Sequence, residues 1–298
     1  MIDKPNIYKE FYDLLAQIPD GYISTYGDLA LQLGDIIASR AVGEMLSEND
    51  DPDNLPCYRV IMSDGKLGGY TNPNGVEEKI RRLRKDGIRI SNGRVEDYNR
   101  IRFDEFKSNF PLKKFREEAN RIDLEKKDEL SDRVVALDIS YSGRRGVGVA
   151  VDFQDGLSYE VAVREAKSPY IPNYLYLREG EILEMLVKKE AVNVIDGNGI
   201  IHRDGRGVAT LVGVSKNVET VGIAKSLLIG HEREGEIILG AKKIGRRVGK
   251  YFVSTGYLAD LEASVQFLTN EGHFPQTKHS DRLSRRYKDE ILPAQDSI

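Results

Sequence analysis

The chain has 298 residues, 40% of them apolar, enough for two domains of ordinary size or one large one with a sizeable core. No apolar run approaches the ~18 residues of a membrane span, the N-terminus MIDKPNIYKE lacks a signal-peptide core, and the single cysteine excludes an internal disulfide, which together fit a reducing intracellular compartment. The net charge of −4 argues against a generally basic, nucleic-acid-binding surface, so such contacts must come from local runs at 79–90, 241–247 and 281–288, each of which also reads simply as a solvated face.

In chain order, IYKEFYDLLAQI (7–18) carries Ile7, Phe11, Leu14, Leu15 and Ile18 at helical spacing. TYGDLALQLG (25–34) is a short helix ending at Gly34, and ASRAVGEMLSEN (38–49) is another. The pair resembles a helix-turn-helix, with the second helix available to DNA. The texture changes near residue 108, and 108–132 is charged and reads as a partly helical linker. Strands follow at 134–140, 146–153 and 158–164, then an amphipathic helix at about 173–189, a buried strand at 191–197, a glycine-rich segment, and a strand at 218–224. Hairpin strands followed by alternating helix and strand imply a mixed sheet with helices packed on it. No internal repeat is present.

Cys57 lies in NLPCYRVI, after Pro56 and before Tyr58 and Arg59. A thiol attacks as its thiolate, and a free thiol is only slightly ionised at neutral pH. Arg59 would favour the anion, whereas Tyr58 is a poor base. On these residues alone a buried, inert thiol is the better reading. The wider context reverses it. IPDGYISTYGDLA, SRAVGEMLSEN, LPCYRVIMSDGKLGGY and EEKIRRLRKDGI occur in that order over 18–88 and resemble the C-terminal domain of the O6-alkylguanine-DNA alkyltransferases. That resemblance covers about residues 5–92. It implies a suicide reaction in which the thiolate takes an alkyl group from guanine O6.

By the same resemblance, Cys57 is the alkyl acceptor and Arg40 fills the gap left by a flipped base. Tyr26 crowds the flipped nucleotide's phosphate, Asn49 belongs to the hinge before the active-site strand, and Tyr70 and Lys79 sit beside O6, where a donor assists the leaving group. Extruding a base costs a few kcal/mol, part of which a plug offsets. The chain departs from the family at Tyr58, where a histidine is usual, and at Asp86, where a glutamate usually holds it. The usual base relay is therefore altered.

In the second half, Asp138 sits in ALDIS and Asp196 ends NVIDG. A buried Asp in an apolar strand is costly unless it is paired or binds a metal. Adjacent strands would bring both to one sheet edge, and Glu179 on the following helix could join them. All-oxygen ligation suits Mg²⁺ or Mn²⁺. On spacing alone, unrelated surface acids explain them slightly better. VVALDISY, SPYIPNYLYLREGEIL, VNVIDGNGIIHRDGRGVATLVGV, TVGIAKSLLIG and YFVSTGYLADLEAS resemble endonuclease V from about 132 to the end.

That resemblance implies a ribonuclease H-like fold and hydrolysis of the second phosphodiester 3′ to a deaminated base, typically hypoxanthine. It places Asp138, Glu179 and Asp196 at the metal and Lys225 near the scissile phosphate. Pro169, Tyr170, Ile171 and Pro172 form the wedge that parts the strands, and Gly197, Gly199 and His202 line the lesion pocket, where backbone N–H groups could read the base. The chain lacks the proline usual after the histidine, and Tyr257 stands where the family often has a histidine near the metals.

The expected architecture is thus an alkyltransferase-like, mainly α winged helix-turn-helix domain over 1–107, a charged linker over 108–131, and an α/β ribonuclease H-like domain over 132–298. The expected partner is double-stranded DNA carrying alkylated or deaminated bases. Mg²⁺ or Mn²⁺ is expected in the second domain and no cofactor in the first. Two alternatives stand beside this: a lesion-binding module with Cys57 idle, and a nuclease for inosine-containing RNA.

Overall fold

The computed structural model describes residues 2–127, 129–152, 157–270 and 274–292. The chain divides into two compact units, one formed by Asp3–Glu117 with Lys167–Pro172, the other by Met1–Ile2, Glu118–Ala166 and Asn173–Ile298.

The N-terminal unit is built mainly of helices: α1 (Ile7–Leu15), α2 (Tyr26–Leu33), α3 (Ser39–Ser47), α4 (Gly75–Lys85) and the first part of α5 (Pro111–Asn120). Asn6 caps α1 by accepting from Lys9 N. Thr25 and Asp28 form a reciprocal capping box on α2, which stops at the expected residue, Gly34, in the left-handed region. The apolar face of α1 is fully used, since Ile7, Phe11, Leu14 and Leu15 are buried. Two short strands, β1 (Ser24–Thr25) and β2 (Val60–Ile61), pair in parallel, and β3 (Ile90–Ser91) pairs with β4 (Arg94–Val95) as a hairpin. Ile23, Tyr58, Ile61, Leu67, Leu83, Ile88 and Val95 form a core beneath this loop-rich half. The segment expected to be a linker contributes to packing too, because Leu112 and Phe115 of α5 are buried.

The C-terminal unit is a nine-stranded mixed sheet: β5 (Val134–Ser142), β6 (Arg145–Asp152), β7 (Ser158–Glu165), β8 (Val192–Asp196), β9 (Thr220–Ala224), β10 (His231–Arg233), β11 (Glu236–Leu239), β12 (Lys242–Val248) and β13 (Tyr251–Tyr257). The strand order is β10-β11-β12-β13-β9-β8-β5-β6-β7. β8 runs parallel to both β5 and β9, and the other pairings are antiparallel. The helices are α6 (Leu175–Leu186), α7 (Val208–Lys216), α8 (Leu261–Asn270) and α9 (Phe274–Ile291).

Two glycines let α6 approach the sheet: a Cβ on Gly148 would stand 2.2 Å from Ile182 Cγ2, and one on Gly146 would stand 2.7 Å from Ile182 Cδ1. α9 packs on β5 and β6. Ser284 of α9 reaches Asp138 and Ser140, which oppose Val149 and Val147 in the register. Side chains alternate along a strand, so α9 and α6 lie on opposite faces. Buried Glu219 ties the start of the unit to the sheet by accepting from Lys127 Nζ at 2.7 Å and from Ser131 N at 2.8 Å. Among the described residues, no helix is long and apolar enough to cross a membrane.

Candidate active sites

In the N-terminal unit, Cys57 opens a single 3₁₀ turn, Cys57–Arg59, that leads into β2. Its side chain is nearly buried, at 7% exposure. The loop before it is held by Asn49, whose Nδ2 donates to Leu55 O at 2.8 Å while its Oδ1 accepts from Asp51 N. That fits the hinge position expected of it. Cys57 Sγ donates to the hydroxyl of Tyr70 at 3.9 Å. Burial, then Cys57, hold the Tyr70 phenol far above its usual range, so it stays neutral.

Tyr26 begins α2, with its ring near Gly43 and its hydroxyl near Gly68. Burial makes its phenol harder to ionise as well, with Cys57 adding to the shift. Arg40 is exposed on α3, which is compatible with the plug role the resemblance implies.

Lys79 departs from its expected role. It is 1% exposed, and its ammonium donates to the carbonyls of Val60 (2.7 Å), Leu67 (2.5 Å) and Gly69 (3.4 Å). A lysine has three donors, so none is left for guanine O6. Burial lowers its pKa to about 8, against a smaller opposing pull from Cys57. It is a strut that joins β2 to the segment carrying Tyr70.

Asp86 holds Arg59, two positions after the nucleophile, within a different cluster. Arg59 Nε donates to Asp86 Oδ2 at 2.7 Å, its Nη1 to Ile18 O at 2.7 Å and its Nη2 to the Tyr58 hydroxyl at 2.9 Å, and it pairs with Asp20. The Arg59 and Arg82 guanidiniums lie 5.2 and 5.5 Å from the Tyr58 ring centre. A cavity of about 490 Å³ beside this cluster is lined by charged groups that are largely paired with one another.

In the C-terminal unit the register explains how the acids meet. Leu137 of β5 pairs with Ile195 of β8, so Asp138 and Asp196 follow the last paired residues at one end of parallel strands. α9 adds Asp281, and ligand oxygens of Asp138, Asp196 and Asp281 lie within 4.8 Å of one another. Glu179 joins them electrostatically: burial pushes its carboxyl up to about 8, with Asp138 and Asp196 adding to the shift. Asp138 is raised to about 6, first by burial and then by Asp196 and Asp281, against a bond from Ser284 and the field of Lys225. Ser284 Oγ donates to Asp138 Oδ2 at 2.7 Å. Lys225 Nζ lies 2.8 Å from Asp196 and 3.8 Å from Asp281.

The mutual repulsion that raises these carboxyls is what a bound cation would relieve. The donor set, all carboxylate oxygen, fits a hard divalent ion such as Mg²⁺ or Mn²⁺. Asp281 escaped the sequence reading because DRLSRRYK looks like a basic run. Its signal was the placement of Asp281 and Ser284 three apart on one helix face.

The glycine-rich segment works differently from the expectation. The N–H groups of Gly197 and Gly199 are already bonded, to Ile223 O at 2.8 Å and to Ser254 Oγ at 3.0 Å, so neither is free to read a base. Gly199 is needed for close packing: a Cβ there would sit 2.0 Å from Thr255 O. His202 is buried. Its Nε2 lies 3.0 Å from Asn173 O, and its Nδ1 accepts from Asp204 N and Arg206 N at 3.3 Å. This bonding makes it a neutral brace of the turn.

Tyr257 is not beside the acids. It pairs with Thr220 at the start of β9, whereas Asp196 pairs with Ile223, which puts it about 10 Å of strand away. Burial and then Glu125 make its phenol harder to ionise. Of the residues expected to form the wedge, Tyr170 is 56% exposed and Ile171 fully buried, with Pro169 buried and Pro172 half-buried.

Comparison with known proteins follows this division. Residues 6–88 match the 6-O-methylguanine DNA methyltransferase DNA binding domain, and residues 116–278 match endonuclease V. A bifunctional methyltransferase/endonuclease of Picrophilus torridus is 43% identical over 91% of this chain and 93% of its own length. A protein of the same description from Thermoplasma volcanium is 41% identical over 86% of this chain and 82% of its own. The catalytic domain of human endonuclease V has a similar fold, with a TM-score of 0.53 at 21% identity, covering 62% of this chain and 99% of that one. So does Ciona intestinalis endonuclease V, solved with DNA containing an inosine, with a TM-score of 0.50 at 23% identity, covering 59% of this chain and 95% of that one. The chain therefore belongs to the bifunctional methyltransferase/endonuclease family, a 6-O-methylguanine DNA methyltransferase module joined to an endonuclease V.

Proposed function

We propose that this DNA repair enzyme acts on two small base lesions with two independent chemistries. The N-terminal unit transfers an alkyl group from guanine O6 in duplex DNA to Cys57, once per molecule. The C-terminal unit hydrolyses the second phosphodiester 3′ to a deaminated base such as hypoxanthine. The observation that carries the second activity is the convergence of Asp138, Asp196 and Asp281 within 4.8 Å, beside Glu179.

These four carboxylates would hold Mg²⁺ or Mn²⁺. When bound, such an ion supplies an activated water and charge stabilisation on the phosphate oxygens. Ser284 fixes the rotamer of Asp138, and Lys225, paired with Asp196, offers a positive charge to a phosphate that enters. Tyr170 serves as the blade of the strand-parting wedge and Arg40 as the plug that replaces a flipped base.

The inosine in the Ciona complex supports hypoxanthine as the lesion. Competition between matched inosine-containing DNA and RNA tests that choice of substrate. Peptide mass spectrometry after exposure to O6-methylguanine duplex tests the transfer. A methyl group on Cys57 is the expected result, and an unmodified Cys57 would leave the module a lesion binder only.

A further inference from the structure

Lys167–Pro172, which contains the residues expected to form the wedge, belongs to the same compact unit as Asp3–Glu117. Its root is bonded there to the start of α1. Ile7 N donates to Lys167 O at 2.8 Å, and Tyr8 N donates to the same oxygen at 3.4 Å. The first N–H groups of a helix have no acceptor inside it, and they form the positive end of its dipole. In α1 the side chain of Asn6 accepts from Lys9 N, while a carbonyl from far along the chain accepts from the two residues before Lys9.

Beyond Lys167 the segment is pinned on both sides of one exposed ring. Ser168 is fully buried, and its Oγ donates to Pro169 O at 2.9 Å. Ile171 is fully buried, yet Tyr170 just before it is exposed. Pro169 and Pro172 each fix a backbone angle. The ring therefore projects from a stiff tip whose root is tied to α1.

We propose that the start of α1 is a positioning element for strand parting: by holding Lys167 O it fixes the root of the segment that presents Tyr170, so that cleavage of duplex DNA depends on α1. This rests on the reading of Tyr170 as the blade of the wedge. A lesion in single-stranded DNA needs no parting, so its cleavage does not depend on this anchor.

The test uses the full chain and two variants at one position. Ile7→Pro removes one donor. Proline suits the first position of a helix and needs an extended residue before it, which Asn6 already is at φ −80° and ψ 96°. Ile7→Ala keeps the donor and trims more of the buried side chain. Ile7→Pro should slow cleavage of a hypoxanthine-containing duplex about three- to tenfold, the worth of one hydrogen bond, and cleavage of the same strand alone by less than about twofold. Ile7→Ala should change both by less than about twofold. Lys167 is exposed, so tryptic nicking at Lys167–Ser168 reports release of the root without any nuclease assay. It should quicken in Ile7→Pro and not in Ile7→Ala, while methyl transfer to Cys57 stays at the parent rate in both.

Equal slowing on duplex and single strand by Ile7→Pro would overturn the proposal. So would a duplex loss in Ile7→Ala matching that in Ile7→Pro, or nicking that does not quicken in Ile7→Pro. If Ile7→Pro also loses methyl transfer, its fold is damaged and Ile171→Ala decides, since it loosens the same tip and leaves α1 intact. Faster nicking with a larger loss on duplex than on single strand supports the proposal, and an even loss overturns it. A parent that cleaves neither substrate sinks the nuclease reading first, and the proposal falls with it even where nicking shows the anchor.

Discussion

Replacing Asp138 with Asn should make the metal-free protein more stable than the parent as the pH rises. Burial, with the fields of Asp196 and Asp281, raises the Asp138 carboxyl from 3.8 to about 6. A folded value above the unfolded one means that its contribution is fully present below about pH 4 and is lost as the pH rises through about 6. A shift of roughly two units corresponds to about 2–3 kcal/mol. For a unit of this size that is roughly 4–10 °C in Tm. Asn keeps an oxygen to accept from Ser284 but carries no charge.

The assay is thermal unfolding of both proteins in EDTA across this pH range, repeated with Mn²⁺. In EDTA the Tm difference should move in favour of Asp138→Asn by roughly 4–10 °C between about pH 4 and pH 8. With Mn²⁺ the order should reverse, because the parent regains its losses and the variant lacks a ligand. A pH-independent difference in EDTA, or equal stabilisation of both proteins by Mn²⁺, would refute the reasoning.

Asp281→Asn should reduce cleavage of hypoxanthine-containing DNA by orders of magnitude while leaving alkyl transfer intact, measured by gel and by mass spectrometry on the same preparation. Ser284→Ala should weaken Mn²⁺ binding by several-fold, read by calorimetry, since it frees the Asp138 rotamer without removing a ligand. Gly199→Ala should cost about 1–3 kcal/mol or more in denaturant unfolding, because its Cβ meets the backbone of Thr255, which cannot give. Arg40→Ala should slow repair of duplex DNA by about tenfold or more and reaction with free O6-methylguanine much less, since only the duplex incurs the few kcal/mol of base extrusion.

Much of this was legible in local pattern. The Gly34 stop announced the end of α2, and the apolar runs of β5, β8 and β9 announced the buried strands. The register that follows from those strands brings Asp138 and Asp196 together. What the pattern concealed depended on tertiary partners. AKKIGRR reads as a basic patch, yet most of it lies in β12, where Ile244 and Gly245 are buried and their half-buried neighbours Lys243 and Arg246 pair with Glu262. Lys79 belongs to a basic helix by composition, but its ammonium is consumed by carbonyls from two other segments. Gly197 and Gly199 suggest a backbone open to a ligand, whereas close packing explains them, against Val208 of α7 for Gly197 and against β13 for Gly199. Tyr257 lies in a familiar motif, and only the pairing of β13 with β9 shows that it sits at the far end of the strand from the acids.

The central claim is that one chain carries two chemistries that differ in their need for a cation. A single duplex bearing O6-methylguanine and, well separated from it, hypoxanthine tests this when incubated with the full chain in Mg²⁺ and in EDTA. Strand cleavage and the mass of the Cys57 peptide are read from each reaction. Chelation should abolish cleavage and leave methyl transfer at its full rate. Cleavage that persists at its normal rate in EDTA, or transfer that is lost with it, would contradict the account.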